Sequence, residues 1–327
     1  MTATTVSRRT WVLGTAAMAL AGPAAVLAQS SAAKPIRFIV PYAAGGTTDL
    51  VARTVGVHMA QTLGQPVIID NRGGAGGNIG MDAVAKAAPD GLTVGMGAIS
   101  TNALNPHIYR AIAFDPRKDF TAIGLLGNST IVLEVHPALP VKTIAELIAW
   151  GRRQPGQAYA TAGAGTSMHL AGVLFAQLSK SEWTHVAYKG SAPLLNDLLG
   201  GQVNVAFDNL PASLPHIQAG KLRALAVAGA QRSPALPGVP TIAEAGLPGY
   251  AVEPWFGVYG PAGLPAHEVQ RLNTALVAAL DDPAVRDKLV AAGFTPRSSS
   301  AAGLDALTRR EYDRLGAVAR AAHMTTD

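Results

Sequence analysis

The stretch VPYAAGGTTDLVAR, which runs from Val40 to Arg53, passes from apolar to glycine-rich to amphipathic residues. The apolar run before it predicts a buried strand, and apolar residues four positions apart after it predict a helix. Gly45 and Gly46 allow a ligand close to the backbone, and three residues of helix-capping type follow them: Thr47, Thr48 and Asp49. Because first-turn N–H groups of a helix lack intrahelical partners, this lysine-free turn predicts an anion site made of backbone amides.

A second turn of the same design lies in TAGAGTSMHL, Thr161 to Leu170, where two glycines precede Thr166 and Ser167. Two further turns, STN at 100–102 and YKGSAP at 188–193, also follow apolar runs. In open α/β sheets, ligands bind where the carboxyl ends of strands lead into helices. We interpret the first two turns as closing on one anion from opposite sides. The alternative is that the glycines only make tight turns.

The chain as a whole alternates short apolar runs with amphipathic segments from Ile36 onward, which is typical of α/β sheets flanked by helices. Its 327 residues, 49% of them hydrophobic, suffice for two cores. We predict two α/β lobes, each a mostly parallel sheet, with two chain crossings that make a hinge and a cleft. Lobe 1 comprises residues 34–135 and 250–327, and lobe 2, residues 136–249, is inserted between its two parts.

The first 28 residues differ from the rest of the chain. Arg8 and Arg9 lead into an alanine-rich run from Trp11 to Leu27, and Val26–Ala28 fits a small-residue cleavage pattern. This order predicts a signal peptide over residues 1–28 and a periplasmic protein. The segment SRRTWVLG, Ser7 to Gly14, resembles a twin-arginine signal, and a general secretory signal is the alternative. A retained anchor is disfavoured because a membrane span needs about 20 apolar residues.

Composition argues against several classes of partner and cofactor. The net charge of +5 is dispersed, without interleaved aromatic residues, so we expect no nucleic-acid binding. The absence of cysteine removes disulfides, thiolate metal sites and a cysteine nucleophile. The eight histidines show no metal-binding spacing, so no metal is expected. No cofactor is expected either, because the glycines of NRGGAGGNIG, Asn71 to Gly80, do not fit G-x-G-x-x-G and neither turn ends in Gly-Lys-Ser/Thr.

Catalysis is weakly supported. A triad of Ser100 or Ser167 with His169 and Asp208 would be needed, but no G-x-S-x-G elbow is present. Ser167 and His169 are two positions apart and do not face each other on a helix. We therefore expect a binding protein and not an enzyme, and interpret His169 first as a turn-stabilising histidine. An exported hydrolase or oxidoreductase that uses the same cleft is the alternative.

Five single residues have two interpretations each. Tyr42 covers a ligand's apolar body or packs at the rim. Asp208 receives a ligand group or caps the segment after its strand. Lys189 is the one cation in a candidate turn, although a solvated surface lysine is the simpler interpretation. Trp255 and Phe256 lie on the second crossing, where hinge packing is favoured over ligand contact.

Eight motifs together resemble one known family. In order they are VPYAAGGTTD, IDNRGGAGGNIG, YATAGAGTSMHLAG, VAYKGSAP, LLGGQV, FDNLPA, GKLRALAV and VPTIAEAG. Their order and spacing are similar to those of the tripartite tricarboxylate transporter receptors, also called Bug proteins, from about Ile36 to the C-terminus. The resemblance implies a periplasmic binding protein fold of Venus-flytrap type, whose two lobes close around a small carboxylic acid.

The resemblance also implies which positions contact the ligand. One carboxylate is held by the turns at Tyr42–Asp49 and Thr161–His169, partly through water, while Ser100–Asn102 and Asp208 select the rest of the molecule. Family ligands include di- and tricarboxylates, amino acids and aromatic acids. The implied partner is a two-subunit membrane permease or a sensor protein, and we expect a monomer. The predicted ligand-binding residues are Tyr42, Ala44, Gly45, Gly46, Thr47, Thr48, Asp49, Ser100, Thr101, Asn102, Ala162, Gly163, Gly165, Thr166, Ser167, His169 and Asp208.

Overall fold

The computed structural model of the chain describes residues 34–322 and 324–326. The predicted signal peptide lies outside the described residues. The strands, numbered in chain order, are β1 (Ile36–Val40), β2 (Val67–Asn71), β3 (Thr93–Ala98), β4 (Phe120–Ser129), β5 (Ile131–Val135), β6 (Gln157–Thr161), β7 (Trp183–Ala187), β8 (Val205–Asn209), β9 (Arg223–Val227), β10 (Trp255–Pro261) and β11 (Phe294–Pro296).

The α-helices are α1 (Thr47–Leu63), α2 (Asn78–Ala85), α3 (Ile144–Arg153), α4 (Ser167–Ser179), α5 (Ser191–Leu199), α6 (Leu210–Gln218), α7 (Ala266–Asp281), α8 (Pro283–Ala291) and α9 (Ala301–Ala321). Their ends follow local chemistry. Helix α1 ends because Gly64 adopts a left-handed conformation with φ 61°. Helix α3 begins after its N-cap Thr143, whose Oγ1 accepts from the Glu146 amide at 3.1 Å. Helix α8 begins after Asp282, whose side chain accepts from the Val285 amide.

The strands form two sheets, in the orders β11-β4-β10-β3-β1-β2 and β7-β6-β8-β5-β9. We call the part of the chain around the six-stranded sheet the first lobe and the part around the five-stranded sheet the second lobe. Strands β1, β2 and β3 are parallel, as are β6, β7 and β8, whereas β10 and β5 run antiparallel to their neighbours. The predicted two-lobed α/β fold is confirmed, with sheets that are mixed and not uniformly parallel.

The crossings between the lobes are short and adjacent. The chain leaves β4 at Ser129 and enters β5 at Ile131, and it returns before β10 begins at Trp255. The Ser129 amide donates to the Pro254 carbonyl at 3.0 Å, which ties the two crossings together. The first crossing therefore lies about five residues before the predicted boundary at 135. The difference arises because β5 pairs with β8 and β9 of the second sheet, and the sequence of β5 alone does not show which sheet it joins.

The parallel strands set the position of the cleft. Because β1 and β3 are parallel, their carboxyl ends lie at one edge of the first sheet, and those of β6 and β8 lie at one edge of the second. Beneath them, each lobe has buried apolar residues. Phe38, Met59 and Val258 belong to the core of the first lobe, and Leu133, Phe175 and Phe207 are buried in the second.

Candidate ligand-binding cleft

The turn between β1 and α1 presents backbone amides. Gly46 occupies the N-cap position in an extended conformation, and no side chain caps the helix. The first-turn amides of Thr47 and Thr48 therefore have no capping partner. Asp49 is oriented elsewhere, because its Oδ2 accepts from the Gly45 amide and from Arg53 Nε, each at 3.0 Å. Burial opposes the ionisation of Asp49, but the bonds from Arg53 and Gly45 keep its pKa below its usual value.

The turn between β6 and α4 is fixed by its own side chains. Thr166 Oγ1 donates to the Gly163 carbonyl at 2.7 Å and accepts from the His169 amide at 3.2 Å. The ring of His169 accepts from the Gly165 amide through Nδ1 at 3.2 Å. Gly163 and Gly165 have φ values of 154° and 75°, which glycine adopts without steric cost. The turn is thus held in a conformation that leaves the start of α4 facing the first lobe.

His169 is neutral in this arrangement. Its ring stacks on that of His185, with centroids 4.0 Å apart and planes 10° apart. Burial lowers the pKa of His169 to about 4, and burial together with His169 lowers that of His185 to about 3. His169 therefore contributes structure to the turn and no positive charge to the cleft.

Tyr42 and Ser100 form one wall of the cleft. The Tyr42 hydroxyl lies 2.8 Å from Ser100 Oγ and donates to the Gly76 carbonyl at 3.3 Å. Burial raises the pKa of Tyr42 to about 12, so the phenol stays protonated. Ser100 begins a π-helical turn, Ser100–Leu104, after β3. Inside this turn Thr101 Oγ1 donates to Asn102 Oδ1 at 2.7 Å and accepts from the Ala98 amide.

A third helix start completes the cleft. Gly190 and Ser191 open α5, and a β-carbon added to Gly190 would lie 2.9 Å from that of Ala43 in the first lobe. Ser191 Oγ donates to Asp208 Oδ1 at 2.6 Å. Asp208 is fully buried at the end of β8, and burial raises its pKa to about 7 despite the bonds from Ser191 and Asn209. Asp208 therefore lies behind the cleft wall and supports Ser191 within it.

These elements enclose a cavity of about 20 Å³ between the lobes. Such a volume corresponds to roughly one water-sized sphere, so the lobes are closed on each other. The cavity is lined by Tyr42, Ala43, Gly46, Thr47, Thr48, Ala98, Ser100, Ala162, Thr166, Ser167, Met168, Gly190, Ser191, Asn209 and Phe256. None of these side chains is charged. The buried hydroxyl of Thr47 has no hydrogen-bond partner among the described residues.

A second chamber of about 210 Å³ adjoins the first, because Tyr42 and Ala162 line both. Its other walls include the glycine-rich segment 74–77 and Tyr109 of the first lobe, and Lys189 of the second. The Tyr109 hydroxyl donates to the Ala164 carbonyl at 2.9 Å and so bridges the lobes. Lys189, exposed to solvent, is the one charged residue in the lining of either chamber.

The structure brings together eight of the predicted residues in the lining of the first cavity: Tyr42, Gly46, Thr47, Thr48, Ser100, Ala162, Thr166 and Ser167. It places the others behind the wall or within the turns. Gly45, Asp49, Gly163, Gly165 and His169 hold the turns, Thr101 and Asn102 bond each other, and Asp208 supports Ser191. Gly163 also lines the second chamber, and Ala44 lines neither.

The predicted list missed Ser191, Asn209 and Phe256. Ser191 and Asn209 had a signal, since each is of capping type, follows an apolar strand and precedes a helix. Phe256 was assigned to hinge packing, but its position on β10 brings it to the cavity. The predicted list also lacks four other lining residues, which are Ala43, Ala98, Met168 and Gly190. The local sequence does not distinguish such small or apolar residues from core residues.

The arrangement does not provide a catalytic triad. Ser167 Oγ contacts Met168 Sδ, and His169 Nδ1 accepts from Gly165, so the two residues do not form a nucleophile–base pair. In the described part of the chain, no three His, Cys, Asp or Glu side chains group as a metal would require. Among those same residues no helix is both long and apolar enough to cross a bilayer.

Two α/β lobes that close on a cavity lined by helix starts and by no charged side chain define a two-lobed solute-binding protein. Residues 51–324 match the model of the tripartite tricarboxylate transporter family receptor. Protein BugT of Bordetella pertussis is 39% identical over 282 residues, covering 85% of this chain and 86% of BugT. The chain belongs to this receptor family. It is therefore a receptor and not an enzyme, and the alternative of an exported hydrolase or oxidoreductase is not supported.

Solved structures agree with this assignment. The structure described as R. palustris Rpa4515 with adipate has 39% identity and a TM-score of 0.87, covering 89% of this chain and 98% of that one. The periplasmic binding protein BugD has 32% identity and a TM-score of 0.87, covering 90% and 99%. MatC of Rhodopseudomonas palustris with bound malate has 35% identity and a TM-score of 0.84, covering 87% and 98%.

Proposed function

We propose that this chain is a periplasmic receptor that captures a small carboxylic acid in the cleft for uptake or sensing. The observation that carries the proposal is the cavity between the lobes, which is lined by the starts of α1, α4 and α5 and by no charged side chain. Helix starts offer free N–H groups and a favourable dipole to an anion. Two similar proteins were solved with adipate and with malate, and both of these ligands are dicarboxylates.

The energetics of such a site are sufficient without a cation. A hydrogen bond to a charged group contributes about 1.5–3 kcal/mol. Four amide or hydroxyl donors therefore reach the roughly 8 kcal/mol of a micromolar complex, provided that closure costs little. The neutral state of His169 is consistent with this account, because the turn needs its ring as an acceptor for the Gly165 amide.

The cavity of about 20 Å³ holds little more than part of one carboxylate, so we propose that the lobes open about the crossings to admit the ligand. The chamber of about 210 Å³ then receives the remainder of the acid. The same proposal includes a signal peptide, with export by the twin-arginine or the general secretory route. It also includes a monomeric state and delivery of the ligand to a two-subunit permease or a sensor.

Native mass spectrometry of protein purified without denaturation tests the ligand class, followed by a thermal-shift screen of mono-, di- and tricarboxylic acids, amino acids and aromatic acids. An acid at 100 times its Kd should stabilise the protein by about 2.7 kcal/mol, which raises the Tm by roughly 5 °C or more. The matching amides should produce no shift. A screen in which no acid raises the Tm, or in which the amides act equally well, would contradict the proposal.

A further inference from the structure

A cavity of about 640 Å³ lies apart from the cleft. We call it the hinge groove. It is lined by Leu125, Asn128, Ala230, Ala251, Glu253, Trp255, Arg297, Ser298, Ser299, Gly303, Leu307, Arg310, Glu311 and Arg314. None of these residues lines the cleft cavity or its second chamber. Trp255 lines the groove while the next residue of β10, Phe256, lines the cleft. Because successive strand residues point to opposite faces, the two cavities lie on opposite sides of β10.

The groove borders both crossings between the lobes. Asn128 lies at the end of β4, directly before the first crossing, and Glu253 lies on the second crossing. Glu253 Oε1 accepts from the amide of Ala230, a residue of the second lobe, at 3.1 Å. The groove is therefore formed by both lobes where they join.

One face of α9 forms the other wall. Gly303, Leu307, Arg310 and Arg314 are spaced by four, three and four residues, which places them on one side of a helix. Leu307 supplies an apolar surface near the N-terminal half, and the two arginines extend along the same face. The wall thus combines an apolar part with guanidinium donors.

The guanidinium groups of the groove are incompletely paired. Arg297 makes no side-chain hydrogen bond or ion pair within the described chain. Arg310 Nε lies 3.8 Å from Glu311 Oε1, whereas Glu311 Oε2 bonds Arg314 at 2.6 Å. One carboxylate therefore serves two arginines, and Glu253 is engaged by the Ala230 amide. The arginines of the groove therefore have more N–H donors than its two carboxylates can accept from.

Trp255 gives independent support for a ligand. The side chain is 3% exposed, and its indole Nε1–H has no acceptor among the described residues. A buried donor without an acceptor costs roughly 1–3 kcal/mol, and native structures seldom retain one without a reason. An acceptor oxygen brought by a bound molecule would remove this cost.

We infer that the hinge groove binds a small organic anion, in which a carboxylate or phosphate group is attached to an apolar body. The anionic oxygens accept from Arg297, Arg310 and the Trp255 indole, and the apolar body rests on Leu125 and Leu307. The volume lies within the range of small-molecule sites, and guanidinium groups bind carboxylate and phosphate oxygens in pairs. This inference does not depend on what the cleft binds.

The test follows the indole N–H signal of Trp255 by ¹H–¹⁵N NMR in protein labelled at tryptophan. The probes are benzoate and phenyl phosphate, and phenol is the uncharged control. Trp255→Phe assigns the signal by its loss. Trp150 and Trp183 serve as internal references, because they lie in the second lobe and neither lines the groove. At least one anionic probe should shift the Trp255 signal saturably, and phenol should not.

Variants distinguish the groove from the cleft. Arg297→Ala combined with Arg310→Ala should weaken the interaction by tenfold or more, since each removes a charged donor. Arg309→Ala is the matched control on α9, because Arg309 pairs with Asp305 and does not line the groove; it should leave the titration unchanged. The inference is overturned if no anion gives a saturable shift, if phenol gives the same shift, or if the double variant titrates like the wild type.

Discussion

Thr47 is one of two cleft-lining residues, with Asn209, that have a buried polar atom without a hydrogen-bond partner among the described residues. Its side chain is buried in the cleft lining, and its Oγ1 has no hydrogen-bond partner in the described part of the chain. In a native protein such a hydroxyl is expected to bond a molecule that enters the site. A substitution at Thr47 can therefore show whether its hydroxyl binds a ligand or only supports the fold.

We expect Thr47→Val to weaken carboxylate binding about tenfold while leaving the Tm unchanged or slightly higher. The substitution removes a donor to a charged ligand but keeps the side-chain shape. Calorimetric titration and thermal unfolding measure the two effects. Thr54→Val is the matched control two turns along α1, because the Thr54 hydroxyl bonds the Leu50 carbonyl. If both variants bind like the wild type, Thr47 does not contact the ligand.

We expect Asp208 to make the stability of the protein depend on pH. Burial raises its pKa to about 7, whereas an unfolded aspartate titrates near 4. Between these values the folded chain holds a proton that the unfolded chain has lost, so Asp208 lowers stability progressively as pH rises from about 4 to 7. Burial and Asp208 also raise the pKa of Glu134, which acts in the same direction. His169 and His185 have the opposite effect on stability, because their pKa values lie below the usual one. The stability that they contribute is lost as the pH falls below about 6.5.

We predict that Asp208→Asn is more stable than the wild type at pH 8, by roughly 1–4 kcal/mol, and close to it at pH 4.5. An asparagine Oδ1 can still accept from Ser191 and Asn209. Urea unfolding at the two pH values measures the difference, and the histidine contributions cancel because both proteins contain them. Asp287→Asn, an exposed aspartate, should show no such pH-dependent gain. A gain that is equal at both pH values would refute the assignment.

At the scale of elements, the cleft depends on how helices begin. Gly46 has φ −88°, which any residue adopts, and a β-carbon there would make ordinary contacts with Ser191 at 3.6 Å. The backbone therefore does not require glycine at this position. What a larger side chain would fill is the cavity in front of the α1 amides.

We expect Gly46→Val to reduce carboxylate affinity at least a hundredfold and to change the Tm by only a few degrees. Gly46→Ala should fold normally and lose less affinity. Gly238→Val is a control at a position where a β-carbon would meet nothing within 4 Å. Equal losses of folding and of binding in Gly46→Val would show that the glycine serves the fold and not an anion.

The sequence predicted elements well where the signal is local. The turns after β1 and β6 are predicted because glycines and capping residues follow apolar strands there. The first crossing lies between β4 and β5, before the predicted boundary at 135, because β5 belongs to the second sheet. The π-helical turn sets the orientation of Thr101 and Asn102, and the complete burial of Asp208 in β8 sets its position behind the cleft wall. Neither feature leaves a pattern in the sequence.

At the scale of the whole molecule, the two lobes touch directly around the cleft. The Tyr109 hydroxyl of the first lobe donates to the Ala164 carbonyl of the second, and Gly190 lies against Ala43. Such convergence of distant segments could not be read from the sequence, and it brings Phe256 of β10 to the cavity. The closed form is the one that assembles the three helix starts.

We predict that Tyr109→Phe weakens ligand binding two- to tenfold, because one hydrogen bond that favours closure is lost. Titration calorimetry measures the affinity, and small-angle X-ray scattering should report a larger radius of gyration for the variant without ligand. Tyr312→Phe is a suitable control, since the Tyr312 hydroxyl makes no hydrogen bond among the described residues. An affinity unchanged by Tyr109→Phe would mean that this bond does not contribute to closure.

A crystal structure of the protein with the acid that raises its Tm most tests the proposed anion site. We expect carboxylate oxygens about 2.7–3.1 Å from backbone or hydroxyl donors of both turns, at Thr47 or Thr48 and at Ser167 or Met168. No lysine or arginine should contact that carboxylate. A carboxylate held by Lys189, or by donors of one lobe only, would contradict this expectation.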